Sequence, residues 1–328
     1  MKLASLKNGT RDGALIVVSR DLTRAVPAAD IAPTLQSAIE NWNEAAPRLR
    51  ARYEALNAGA AIGAFAFDQS KAESPLPRAY QWLDGSSYLS HVELVRKARG
   101  VEMPPSFLQD PLMYQGSSDN FTGPQDPVYI ATEDWGADLE AEIAVITDDV
   151  AMSITPEQAK SHVKLLMLLN DISLRHVIPA ELNKGFGFVN GKGVTVFSPV
   201  AVTPDELGAA WDGSKVSLPL TVHVNNEKLG APLAGVDMYF NFPQLIAHAA
   251  KTRTLGAGTV LGSGTVSNHD RNNGFCCISE KRALETVEHG KAITPFFHFG
   301  DRVRVEMFDA QGASIFGTID NEIRKYQG

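Results

Sequence analysis

The sequence predicts a mixed α+β protein in which a small N-terminal domain precedes a larger, β-rich one. Three observations carry this. Near the N-terminus a turn signal joins two apolar runs and helical periodicity follows. A polar, proline-bearing stretch then interrupts the chain, and beyond it short alternating or apolar runs are punctuated by Gly, Asn and Asp. At 328 residues, 44% hydrophobic and 21% charged, the chain can bury a large core and has the composition of an ordinary globular protein.

The elements follow in order. Leu3 to Leu6 and Ala14 to Ser19 flank Asn8-Gly9, which predicts a hairpin over residues 2 to 21. Leu35, Ile39 and Trp42 recur at helix spacing, Pro47 is expected to interrupt, and Leu49, Tyr53 and Leu56 resume before Gly59. Asp68 to Pro77 has linker chemistry, which sets the expected domains at 1–72 and 73–328. Asp138 to Ile146 alternates and ends β-branched, so it reads as a strand. Thr155-Pro156-Glu157-Gln158 has capping-box spacing with proline at the first helical position, and predicts a helix start leading into the apolar run Val163 to Leu169. Val216 to Val224, Val236 to Phe242 and Val303 to Phe308 read as strands or strand ends. No internal repeat and no low-complexity segment is present.

A formal charge of -8 disfavours nucleic acid and anionic membranes as partners. The N-terminal residues lack the apolar core of a signal peptide and no stretch approaches a membrane span. The two cysteines, Cys276 and Cys277, are adjacent, a spacing that supplies neither a disulfide framework nor a zinc site and reads as a pair of buried thiols. A reducing cytoplasm is the expected location.

Candidate chemistry begins with Glu140 and Glu142, which a strand would turn to one face. Two carboxylates so placed repel unless a cation lies between them; the alternative is a half-exposed strand with Glu on its wet side. Asp84 lies in a turn-like stretch before a predicted helix that contains His91, although Asp84-Gly85 also reads as a plain turn. Asp171 ends a strongly apolar stretch and needs a partner, for which Arg175 is the structural candidate. Together Asp84, Glu140, Glu142 and Asp171 make an all-oxygen set suited to Mg²⁺, Ca²⁺ or Mn²⁺ rather than zinc, with convergence left open by spacing alone.

Other signals are weaker. Lys184 to Val189 matches six positions of an RNA-binding octamer, but Gly191 fills its eighth and no aromatic partner motif lies upstream, so a Gly-rich strand or loop is the expectation. Gly256 to Gly262 lacks dinucleotide-binding spacing, and no G-x-S-x-G elbow exists. His269-Asp270 beside Arg271 reads as a polar turn.

Asp84 with His91, then Glu140-x-Glu142, Asn170-Asp171-x-Ser173-x-Arg175, Gly191-Lys192 leading to Ser198-Pro199, and Gly264-Thr265-Val266-Ser267 together resemble the fumarylacetoacetate hydrolase family, in order and spacing, over roughly residues 75 to 310. The resemblance implies a catalytic domain with a mixed β-roll, a divalent cation (Mg²⁺ or Ca²⁺, with Mn²⁺ admissible) and no organic cofactor. It also implies a homodimer and, for the N-terminal piece, the smaller α/β domain of fumarylacetoacetase-like members. Carried across by residue, Asp84, Glu140, Glu142 and Asp171 would hold the metal. His91 would be the general base, oriented by Glu280, while Arg175 and Lys192 would be cations near substrate and metal. Tyr114 and Thr265 would contact substrate. Ile178 stands where the family carries a polar Gln, and Val196 where a metal-proximal Thr is common, although Thr195 is adjacent. The implied activity is hydrolysis of a carbon-carbon bond in a β-diketo acid such as fumarylacetoacetate or an acylpyruvate. Decarboxylation, hydration or isomerisation of a 2-oxo acid is the second reading, and a silent, metal-stabilised binding module the third.

Overall fold

A computed structural model describes residues 1–328. A twelve-stranded sheet runs from the edge strand Phe65–Ala66 through Arg24–Pro27, Ala14–Val18 and Lys2–Leu6 to Ala201–Val202, then Val163–Leu174, Ala141–Thr147, Val260–Gly262, Trp82–Gly85 and Met113–Gly116. Lys192–Phe197 and Ala137–Asp138 also pair with Val163–Leu174. A second sheet of five strands carries Thr221–Val224, Arg302–Glu306 and Ile319–Lys325 at its centre. The α+β class expected from sequence is present, and the N-terminal hairpin forms as read, with Lys2 opposite Val18 and Leu6 opposite Ala14.

Several local expectations are corrected. The N-terminal helix runs unbroken through Pro47, from Trp42 to Asn57; the break falls at Asn41, which separates it from Leu35–Glu40. Pro47 lies early enough to cost only one backbone bond near the helix start. The Thr155 capping box is made, yet its helix is four residues long, Pro156–Ala159. The apolar run beyond it is the twelve-residue strand Val163–Leu174. Its two faces pack into different cores: Leu166, Leu168 and Ile172 into one, Leu165, Met167 and Leu169 into the other. A strand buried on both sides shows no alternation, so its sequence resembles a buried helix. Residues 236–241 form a loop with one bridge, Tyr88 to Met238, and Asp237 there adopts a φ of 61°. Asp84-Gly85 is not a turn but the end of a strand, parallel to Val260–Gly262 and antiparallel to Met113–Gly116.

One sheet face changes character along its strands. Trp82, Ala144, Ile146, Leu169 and Val260 pack under the N-terminal helices, in the core that also holds Leu35, Leu49 and Tyr53. Two residues further along the same face stand Asp84, Glu142, Asp171 and Gly262, by the period of two. The apolar stripe thus ends in an acidic one.

Candidate metal centre

Asp84, Glu140, Glu142 and Asp171 each offer a carboxylate oxygen within 4.8 Å of the others, and all four side chains are buried. Three are placed by strand register: Glu142 lies opposite Leu169, Asp171 opposite Thr195 and Asp84 opposite Tyr114. Glu140 sits just before its strand, where its carbonyl accepts from Asp171 N at 2.9 Å. Gly262 makes the approach possible. A methyl there would lie 2.4 Å from the Trp82 ring, 2.6 Å from Asp84 Oδ1 and 3.0 Å from Glu142 Oε2. The amide of Gly264, at a φ of 77°, donates to Glu142 Oε2 at 2.8 Å and to Asp84 Oδ1 at 3.1 Å.

Cations serve only one side of the cluster. Lys192 Nζ donates to Glu140 Oε2 at 2.5 Å and to Asp171 Oδ2 at 2.8 Å. Arg175 Nη2 donates to Glu140 Oε1 at 2.8 Å, and its Nε to Asp138 Oδ2 at 2.9 Å. The expected Asp171–Arg175 ion pair is therefore not made, because Arg175 lies beyond the strand end and turns to Asp138 and Glu140. Asp171 is held by Lys192, by Tyr114 Oη and by Thr195 Oγ1, the last at 3.0 Å. Val196 packs into the core while its neighbour Thr195 supplies the hydroxyl at this position.

The electrostatics follow from this asymmetry. Burial opposes ionisation of Glu140, yet Lys192 and Arg175 hold it well below the usual carboxylate range. Burial pushes Asp84 up to about 7, against the pull of Lys192 and with Asp171 repelling. Burial and the charges of Asp84, Glu140 and Asp171 push Glu142 well above its ordinary value. Glu142 Oε1 is buried with no hydrogen-bond partner. The two cations do not balance the cluster: Lys192 is shared between Glu140 and Asp171, Arg175 between Glu140 and Asp138, and neither forms a salt bridge with Asp84 or Glu142. A divalent, oxygen-seeking cation fits that deficit and the orphaned oxygen, and a donor set without nitrogen or sulfur suits Mg²⁺, Ca²⁺ or Mn²⁺.

Beside the cluster, the helix Leu89–Ala98 carries His91 near its start. His91 Nδ1 is 3.9 Å from Glu280 Oε2, on the helix Ile278–His289. Glu280 Oε1 accepts from Ser267 Oγ and Arg271 Nη1, each at 2.5 Å, and Arg271 Nη2 donates to the Ser90 carbonyl at 3.1 Å. Burial raises the Glu280 carboxyl, but facing His91, with Ser267 and Arg271, brings it below the ordinary range. Cys276 and Cys277 are free and fully buried, and burial pushes both thiols up, which suits a packing role.

A cavity of about 410 Å³ joins these groups. Asp84, His91, Tyr114, Glu140, Arg175, Lys192 and Thr265 line its polar end, and Ile178 its apolar side. Every sequence-predicted site residue except Glu142, Asp171 and Glu280 thus reaches the cavity, and those three stand directly behind it. Four contributors carried no chemical signal in the sequence: Gly262, which is a steric requirement; Arg271, read as part of a turn; Asp138, which anchors Arg175 and accepts from the amides of Ile278 and Ser279 at a helix start; and Glu181, which accepts from the amides of Val189, Asn190 and Gly191. The segment Lys184 to Gly191 is a loop, as expected, and its Phe188 lines the cavity.

Comparison with known proteins agrees with this architecture. Residues 81–324 match the fumarylacetoacetate hydrolase C-terminal family model and residues 1–78 match fumarylacetoacetase N-terminal domain 2. A 2,4-didehydro-3-deoxy-L-rhamnonate hydrolase from a Sphingomonas species is 29% identical over 159 residues, covering 48% of this chain and 53% of that one, so the match spans about half that relative's length. The oxaloacetate tautomerase YisK of Bacillus subtilis is 24% identical over 269 residues, covering 80% and 76%. Among solved structures, an HpcE-type protein from Mycobacterium smegmatis superposes with a TM-score of 0.68 at 19% identity, covering both chains completely. A maleylpyruvate hydrolase from Sphingobium sp. SYK-6, in complex with manganese (II) ion and pyruvate, has a TM-score of 0.66 at 18% identity with the same coverage. The chain belongs to the fumarylacetoacetate hydrolase family.

Proposed function

We propose that this member of the family is a divalent-cation-dependent hydrolase that cleaves a carbon-carbon bond in a β-diketo acid such as an acylpyruvate or fumarylacetoacetate. The observation that carries the reading is that His91, with Glu280 behind it, lines the same cavity as Asp84, Glu140, Arg175 and Lys192, while Glu142 and Asp171 complete the carboxylate cluster just behind the wall. Asp84, Glu140, Glu142 and Asp171 would hold the cation. When bound, it supplies Lewis acidity that polarises a chelated carbonyl and stabilises an enolate.

The chain's own residues supply the rest. His91, its Nδ1 facing Glu280, takes a proton through Nε2 from water as the water oxygen attacks the distal carbonyl carbon. The bond from that carbon to the central methylene then breaks, its electron pair passing into the enolate of the departing keto acid. The enolate recovers a proton on carbon, leaving a carboxylic acid and a keto acid, which is a 2-oxo acid from an acylpyruvate and a 3-oxo acid from fumarylacetoacetate. Arg175 and Lys192 offset charge on the substrate's oxygens, with Tyr114 and Thr265 as hydroxyl contacts. Thr265 Oγ1 is buried with no partner, which suits a substrate contact.

A second reading, isomerisation, hydration or decarboxylation of a 2-oxo acid, is favoured by the tautomerase relative, whose match spans most of this chain. Purified protein with Mg²⁺, Mn²⁺ or Ca²⁺ separates the two. Loss of diketone absorbance with acylpyruvates supports hydrolysis. Turnover of oxaloacetate alone supports the second reading, and no cation-dependent turnover of either leaves a silent binding module. A homodimer belongs to the same proposal, and light scattering of the purified protein tests it.

A further inference from the structure

The cavity is chemically lopsided. One end holds the carboxylates, His91, Arg175 and Lys192; the other is walled by Leu112, Met113, Ile178, Leu182 and Phe188. Arg175 and Lys192, the two Lys/Arg residues lining it, are already engaged with Asp138, Glu140 and Asp171 at the polar end. The apolar wall contains no Lys, Arg or His that could receive a second carboxylate.

The wall is also held in place. Ile178 sits so close to Gly191 that a methyl on Gly191 would lie 2.7 Å from Ile178 Cγ1. Glu181, three residues on, accepts from the Val189, Asn190 and Gly191 amides at 3.0, 2.8 and 2.7 Å, which fixes the loop that carries Phe188. Phe188 meets Tyr114 edge-on at 5.4 Å between centroids. At the rim, Leu112 and Leu182 remain about half exposed, and Phe186 stands wholly in solvent on the same loop. Apolar side chains left open at a cavity mouth gain from a ligand that covers them.

We infer that the site selects 2-oxo acids whose distal end is apolar, alkyl or aryl, over those ending in a second carboxylate, and that Ile178, Leu182 and Phe188 make this choice. The inference rests on the proposed β-diketo acid reading and narrows it towards acylpyruvates with an uncharged acyl group. A second carboxylate would lose its hydration against the apolar wall without gaining a cation. Each methylene laid on that wall should strengthen binding about three- to fourfold.

The test is calorimetric or thermal-shift titration of the Mn²⁺-loaded protein with stable 2-oxo acids: pyruvate, 2-oxohexanoate, 2-oxooctanoate and phenylpyruvate against 2-oxoglutarate and 2-oxoadipate. Expected is a rising affinity along the alkyl series, with 2-oxohexanoate at least tenfold tighter than 2-oxoadipate. Leu182→Arg, at a half-exposed rim position, should shift that ratio tenfold or more towards the diacid. Diacids binding as tightly as their alkyl counterparts, while pyruvate still binds, would overturn the apolar selection and leave the proposed function standing. Failure of every 2-oxo acid to bind would overturn the proposed function, and the selection with it.

Discussion

Glu280 Oε2 lies 3.9 Å from His91 Nδ1, while its Oε1 is tied off by Ser267 and Arg271. The carboxylate therefore presents one free oxygen to the imidazole, and Arg271 links it to the start of the His91 helix through the Ser90 carbonyl. A carboxylate so restrained can fix the orientation of the ring. His91→Ala should reduce turnover by about 10²- to 10⁴-fold and leave the cation titration unchanged. Measuring kcat and cation affinity on the same preparation checks both. If cation binding disappears with the imidazole, His91 has been given the wrong role.

Glu142 has an orphaned oxygen and three carboxylate neighbours. Glu142→Gln keeps its volume and removes its charge, so metal-free stability should stay within about 1 kcal/mol of wild type or rise. Cation-induced stabilisation, about 2.7 kcal/mol at a hundredfold excess over Kd, should fall by half or more. Thermal melts with and without Mn²⁺ report the difference, and an unchanged shift removes Glu142 from the cation site.

Gly262→Ala would drive a methyl into Trp82 and Asp84. The expected cost is about 1–3 kcal/mol, typical of overpacking, with weaker cation binding because Asp84 must move. Tryptophan fluorescence during denaturant unfolding gives the first quantity and a cation titration the second. Wild-type values for both would mean that the face is looser than its packing implies.

His269 bridges two elements: its Nδ1 is 3.0 Å from Asp237 and its Nε2 3.1 Å from Glu93, on the helix that carries His91. Hydrogen bonds that its ring donates to Asp237 and then Glu93 raise its pKa above the ordinary 6.5. A raised folded value means this stabilisation is complete below about pH 6.5 and is lost as pH rises through the folded pKa. The side chain is 59% exposed, so solvent screening keeps the effect under about 1 kcal/mol. The melting-temperature gap between wild type and His269→Gln should be widest near pH 6 and close by pH 8.5. A gap that widens with pH has the wrong sign for this bridge.

The carboxylate set was legible because four acidic residues keep a recognisable order, and the register of Glu142, Asp171 and Asp84 then carries them to one face. Val163–Leu174 was not legible as a strand, since burial on both faces erases the alternation that distinguishes strand from helix. Sequence proximity alone pairs Arg175 with Asp171. In a strand, a residue four positions on is more than ten ångströms away along the chain direction, at about 3.3 Å per residue, and Arg175 instead reaches Asp138 and Glu140. Gly262 and Glu181 carry no sequence signal because one acts by lacking a side chain and the other by accepting from backbone amides, neither of which leaves a motif. Ile178 was visible as a departure, but its meaning depended on Leu182 and Phe188 standing beside it.

The pairing of Lys2 with Val202 has a consequence for the order in which the molecule can be assembled. During synthesis the N-terminal hairpin emerges early, but the strand that pairs with Lys2 and Leu3 is translated only about half-way through the larger, carboxylate-bearing region. Until then the Lys2–Leu3 end of the Lys2–Leu6 strand has its outer amides and carbonyls unpaired, although its Ser5–Lys7 end is already met by residues 71–73, and an open strand end invites pairing with another chain. Expression at low temperature or with chaperones should therefore raise the soluble yield of the whole chain. A fragment ending before Ala201 should aggregate even though it contains all four carboxylates.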